Sequence, residues 1–141
     1  MPPNAASSDE LADWHMHSVL VVDDEPGMVN FLRRALAARC GVLDSAGDVA
    51  SAAALLQRQH YDLIILDISL PGGRSGTQWL HELRGEGFAG DVVLMTAYAD
   101  LDTAIDALRA GAADFLLKPF SLAQLLNAVK RCFEQIGRAH V

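Results

Sequence analysis

Residues 61–73 read YDLIILDISLPGG. Leu63 to Leu66 are an unbroken apolar run, the pattern of a strand buried on both faces of a sheet. The run stops on a carboxylate, Asp67, and breaks into Leu70-Pro71-Gly72-Gly73, a strong loop signal. Open α/β sheets place ligand chemistry at the C-terminal edge of their strands, where Asp67 would sit. This stretch alone is equally compatible with an aspartate that only turns the chain. The ends of the other strands decide between the two.

Working outward, the same pattern recurs. Ser18 to Val22 ends on Asp23-Asp24-Glu25-Pro26, and Pro26 suits the first turn of a helix. Apolar residues from Met28 to Leu36 then keep helical spacing, with a stop expected at Cys40-Gly41. Val42 to Ala46 reads as a weaker strand, and Asp48 as the cap of an Ala-rich helix. Beyond Asp67, a helix is expected from Gly76 to about Glu86, burying Trp79, Leu80 and Leu83. Asp91 to Met95 is a further strand, ending on Thr96. Asp100 is placed to cap a helix that turns Leu101, Ala104, Ile105 and Leu108 inward. Ala113 to Leu117 runs into Lys118-Pro119, and Ser121 caps a last helix with Leu122, Leu125, Leu126, Val129 and Phe133 on its apolar face. Five alternations of strand and helix with short connections predict a doubly wound five-stranded parallel sheet with helices on both faces.

The bulk properties fit one domain. The chain has 141 residues, 51% hydrophobic and 21% charged, enough to bury roughly two-thirds of its unfolded surface. A net charge of −7 argues against direct nucleic-acid binding and against an anionic membrane surface. Apolar runs are strand-length, too short to cross a bilayer. With no export signal visible, Cys40 and Cys132 are expected to be reduced, inert thiols and the protein cytoplasmic. Residues 1–17 read as a disordered tail with at most one helical turn around Glu10 to Trp14, residues 18–136 as the folded domain, and 137–141 as a frayed end.

Four strand ends carry distinct polar groups: Asp23-Asp24, Asp67, Thr96 and Lys118. In the flavodoxin-like strand order 2-1-3-4-5 the first and third strands are neighbours, which gathers three carboxylates. Two carboxylates about 4 Å apart repel by roughly 4 kcal/mol at an effective dielectric near 20. Such a cluster requires a cation or a proton, and an oxygen-only donor set with few protein ligands fits Mg2+. Lys118 adds a positive charge and Thr96 a hydroxyl donor for an incoming anion. Together these groups describe a site that receives a phosphoryl group on a carboxylate.

The set VVDDEP, LIILD followed by LPG, LMTAYAD and DFLLKPF resembles the receiver domain of bacterial two-component response regulators, over about residues 18–136. The stretch from Met95 to Phe120 is most similar to NtrC-type receivers, which usually precede an ATPase and a DNA-binding domain. The resemblance implies that Asp67 is the phosphoacceptor and that Asp24 and Asp67 ligate Mg2+. Asp23 would act largely through water, and the backbone carbonyl of Ser69 would complete the ligand set. It implies that Thr96 and Lys118 contact the phosphoryl group, that Phe115 is the switch aromatic, and that the Lys118–Pro119 bond is cis. The implied partners are a sensor histidine kinase or phosphotransfer protein as donor, and a protein target or a second copy as output. Phe115 stands where many relatives have Tyr, so no ring hydroxyl is available there. Tyr98 is placed to shield the acyl phosphate from water and slow its hydrolysis.

Rival chemistries fit less well. A haloacid-dehalogenase-type phosphatase needs a second aspartate two residues after the first, where this chain has Ser69. A flavodoxin needs a glycine- and hydroxyl-rich phosphate loop after the first strand, and Asp23-Asp24-Glu25 would repel that phosphate. The remaining alternative is a receiver-like fold used only for docking. Such degenerate receivers usually lose the acceptor or the lysine, and both are present here.

Overall fold

The computed structural model describes residues 13–72, 75–97 and 101–139. Five strands, β1 (Trp14–Val22), β2 (Cys40–Ala46), β3 (Leu63–Asp67), β4 (Asp91–Ala97) and β5 (Asp114–Lys118), alternate with α1 (Pro26–Leu36), α2 (Val49–Arg58), α3 (Gly76–Gly85), α4 (Leu101–Arg109) and α5 (Leu122–Ala139). All pairings are parallel and the order is β2-β1-β3-β4-β5, as the sequence predicts.

The central strands have two apolar faces because both are covered. Val19, Val21, Leu63, Ile65, Val93 and Met95 point into one core, shared with α1 and α5. Their sequence neighbours Leu20, Val22, Ile64, Leu66, Val92 and Leu94 point into a second core, under α2, α3 and α4. This is the period-2 alternation of a strand with both sides buried. Helix starts are fixed locally: Asp48 accepts from the Ser51 amide at 2.7 Å, and Ser75 and Ser121 each form a reciprocal capping box with a glutamine three residues on.

Several boundaries differ from the sequence reading. β1 begins at Trp14 rather than Ser18, so Trp14 to His17 belong to the sheet and not to a tail. Trp14 is buried, and its ring meets Phe133 of α5 edge-on at 5.4 Å. That apolar partner lies far along the chain, so a local pattern does not reveal it. Cys40 and Gly41 open β2 instead of ending α1. Gly41 is there for room: a Cβ at that position would lie 2.0 Å from the His15 carbonyl oxygen, so only glycine lets the two strands approach. α4 buries Ala104 and Ala107, while Ile105 is 39% exposed; small residues let this helix lie close to the sheet. Leu122, expected inside, is 46% exposed at the first turn of α5. α5 continues as helix to Ala139, past the point where fraying was expected. The helical turn expected before Trp14, apart from Asp13, and Asp100 as a cap lie outside the described residues. Cys40 and Cys132 are both free and buried. Burial pushes their thiols up to about 11 and about 12, away from the reactive thiolate.

Candidate functional site

The register of the sheet assembles the site. Val22 pairs with Leu66, so the next residues, Asp23 and Asp67, stand side by side at the C-terminal edge. Asp67 pairs with Met95, which puts Thr96 one step further out, and Ala97 pairs with Lys118. Parallel strands all end on this edge, so four separate sequence motifs become one cluster.

Asp23 and Asp67 are almost fully buried, with 2% and 6% of their surface exposed, whereas Asp24 is exposed. Oxygens of the three carboxylates lie within 4.8 Å of one another. Each buried carboxylate is oriented by a nearby amide: the Glu25 N–H donates to Asp23 Oδ1 at 2.8 Å, and the Ser69 N–H to Asp67 Oδ1 at 3.0 Å. Both bonds span two residues, the Asx-turn geometry that aspartate favours at the end of a strand. The other oxygen of each carboxylate accepts from Lys118 Nζ, at 3.4 Å for Asp23 and 3.2 Å for Asp67. One ammonium is thus shared by two buried carboxylates.

Electrostatics follow from that count. Burial pushes the Asp67 carboxyl above its ordinary value, and repulsion from Asp23 adds to the shift. The Ser69 amide and Lys118 oppose it without cancelling it. For Lys118, burial pulls the ammonium down, but Asp67 and then Asp23 outweigh that, and the net shift is upward. Among the described residues, three carboxylates gather around one ammonium. The donors of the site are all oxygen, and Asp24 opens it to solvent. This donor set fits a hard divalent cation that keeps part of its water shell, as Mg2+ does.

Not every expected group is engaged. The Thr96 side chain is buried, and its hydroxyl donates to the Ala97 carbonyl at 3.1 Å rather than to Asp67. Phe115 is half-buried and packs against the core under α2, α3 and α4. Ser69 is exposed, and its amide rather than its side chain touches Asp67. The Lys118–Pro119 peptide is cis. Tyr98 lies outside the described residues.

One contributor was missed in the sequence. The Gly76 amide donates to the Ile68 carbonyl at 2.9 Å, and a Cβ at Gly76 would lie 2.5 Å from the Asp67 carbonyl oxygen. The start of α3 therefore rests directly on the backbone carrying Asp67. The Ser-Gly pair ahead of a helical run was the available signal.

Among the described residues no helix is long and apolar enough to cross a membrane. A family model for the response regulator receiver domain matches residues 19–130. The chain is 36% identical over 126 residues to the probable transcriptional regulatory protein TcrX of Mycobacterium tuberculosis, spanning 89% of this chain and 53% of that protein. To the alginate biosynthesis transcriptional regulatory protein AlgB of Pseudomonas putida it is 38% identical over 125 residues, 89% of this chain and 28% of that protein. The solved receiver domain of NtrX from Brucella abortus superposes with a TM-score of 0.78 at 32% identity, covering 82% of this chain and 98% of that one. The chain spans about half, or less, of the length of these two curated relatives.

Proposed function

The chain belongs to the response regulator receiver domain family of two-component systems, and from that premise we propose that it is a phosphoacceptor switch with Asp67 as the acceptor. The observation that carries this reading is the buried Asp67 carboxylate, 3.2 Å from Lys118 Nζ and within a cluster of three carboxylates. A carboxylate held this way is desolvated and incompletely neutralised, which favours forming a covalent acyl phosphate.

The donor is the phospho-histidine of a sensor kinase or phosphotransfer protein. An Asp67 carboxylate oxygen attacks phosphorus, the O–P bond forms and the P–N bond breaks. The departing imidazole nitrogen keeps the electron pair and takes a proton from solvent. Lys118, already beside Asp67, stays paired with the charge that accumulates on the phosphoryl oxygens. Asp23, Asp24, Asp67 and the Ser69 carbonyl would hold Mg2+, which when bound supplies positive charge against those oxygens. Exposed Asp24 leaves that side open to solvent and to a donor.

The phosphoryl group adds a charge of about −1.5 to −2. Thr96 is poised to answer it, because its hydroxyl gives up only one bond, to the neighbouring Ala97 carbonyl, in turning toward the new oxygens. Phe115, half-buried on the adjacent strand, then packs into the space behind Thr96. Output passes through the face spanned by residues 100–136, Phe115 and the last helix included, to a protein target or a second copy, in a cytoplasmic signalling role rather than as a turnover enzyme. Intact-mass spectrometry after incubation with phosphoramidate tests the reading, with and without Mg2+ and with Asp67→Asn as control. The expected result is one phosphoryl adduct that requires both Mg2+ and Asp67. No adduct under any condition would sink the proposal and favour a docking module.

A further inference from the structure

The family match covers residues 19–130, and segments just beyond it at both ends touch each other. Phe133 of α5 is 5% exposed. Two rings that cover it come from the start of β1: Trp14 meets it edge-on, and the His17 ring stacks on it at 4.0 Å with 6° between planes. The start of β1 is itself held down. Trp14 N–H donates to the Arg39 carbonyl at 2.8 Å, and Gly41 lets β2 approach the His15 backbone. His17 Nδ1 and the Ser18 amide both bond Asp62 Oδ2, at 3.2 and 3.1 Å. His60 takes the other carboxylate oxygen at 2.9 Å. An aromatic ring covered in this way loses its burial if its cover leaves.

We propose that Trp14 and His17 form a clasp that fixes the C-terminal half of α5 to the sheet, confining the structural response at Asp67 to α4 and β5. The second half of this statement rests on the phosphoacceptor reading; the first does not. α5 is also tied at its middle, where Arg131 pairs with Asp114 of β5 at 2.5 Å. Cys132 and Phe133 are both buried in this stretch of α5. The fully buried side chains of α4 are Ala104 and Ala107, with Leu108 partly buried against the same core, and the helix carries no aromatic ring. Small side chains give a helix less to hold it in place than an aromatic stack does.

Hydrogen-exchange mass spectrometry on the full chain separates the two halves. In untreated protein, Trp14→Ala and the milder His17→Ala should speed exchange across residues 131–139 by roughly tenfold, while β3 keeps its protection as the control for folding. Unchanged exchange of α5 in a His17→Ala protein that keeps β3 protected, together with the same result for Trp14→Ala, would overturn the clasp. With phosphoramidate and Mg2+, the unsubstituted protein should change in α4 and β5 and not in residues 131–139. The two variants should change in all three. A wild-type α5 that responds as strongly as α4 would overturn the confinement. Failure to form any adduct would overturn the phosphoacceptor reading and the confinement with it, and the untreated comparison would still decide the clasp.

Discussion

Strand β3 is bracketed by two aspartates that the fold treats in opposite ways. Asp62 precedes it and Asp67 ends it, and both are substantially removed from water. At Asp62 burial raises the carboxyl, but bonds from His60, the Ser18 amide and His17 more than offset it, and the net shift is downward. At Asp67 burial wins, helped by Asp23, and the net shift is upward. The contrast separates a carboxylate favoured in its charged form from the one proposed as the phosphoacceptor. Asp62 is surrounded by donors and stabilises the fold when charged. Among the described residues Asp67 has one cationic partner, Lys118, and shares it with Asp23, so its charge is costly until something positive, or a covalent bond, relieves it.

The largest test of this contrast is chemical. Asp67→Asn should abolish the phosphoryl adduct, whereas Asp62→Asn should leave its formation within about twofold of the parent, both read by intact mass. Stability should move the other way. In metal-free buffer at pH 7, Asp62→Asn should lower the unfolding free energy by about 1 to 2 kcal/mol, the range for hydrogen bonds to a charged group. Asp67→Asn should raise it by on the order of 1 kcal/mol, because a repelled, desolvated charge is removed. Urea denaturation of the pair decides this; two substitutions that shift the midpoint in the same direction would break the contrast.

A smaller effect sharpens it at the backbone. Gly76→Ala should cost about 1 to 3 kcal/mol and slow adduct formation, because the new methyl group must displace the Asp67 carbonyl. Adduct formation at the parent rate would show that α3 does not position the acceptor.

The smallest effect is the acid limb of the stability curve. A carboxyl held below its unfolded value contributes stability that is complete above that value and is lost as pH falls through the folded one. For Asp62 the loss therefore lies below the ordinary value of 3.8. Asp67 has the opposite sign, its charge costing stability above its raised folded value. Thermal melts between about pH 5 and 2 should show a shallower acid loss for Asp62→Asn than for the parent. Parallel curves would remove Asp62 from the structural role given to it.

How far the sequence carried the reading depended on where each residue's partner lies. Asp23, Asp67, Thr96 and Lys118 each close an apolar run, and a parallel sheet has one C-terminal edge, so the cluster was legible from strand order alone. Trp14, His15, Met16 and His17 alternate apolar and polar in sequence but not in burial, because Met16 is 81% exposed and His17 turns to an aromatic of the last helix. Ile105 fits the helical period of α4 as well as Ala107 does. Only the closeness of that helix to the sheet selects the alanine.

By itself, then, the sequence determined the alternation of elements and the identity of the groups at their ends, because periodicity and turn chemistry are local properties, while the order of the strands came from the general rule for doubly wound sheets. The tertiary structure alone decided that Thr96 points to Ala97 and not to Asp67, that one lysine serves two carboxylates, that Asp62 is satisfied while Asp67 is not, and that β1 starts on Phe133. Each of those outcomes is set by distance and burial between residues remote in the chain, and no local pattern encodes them.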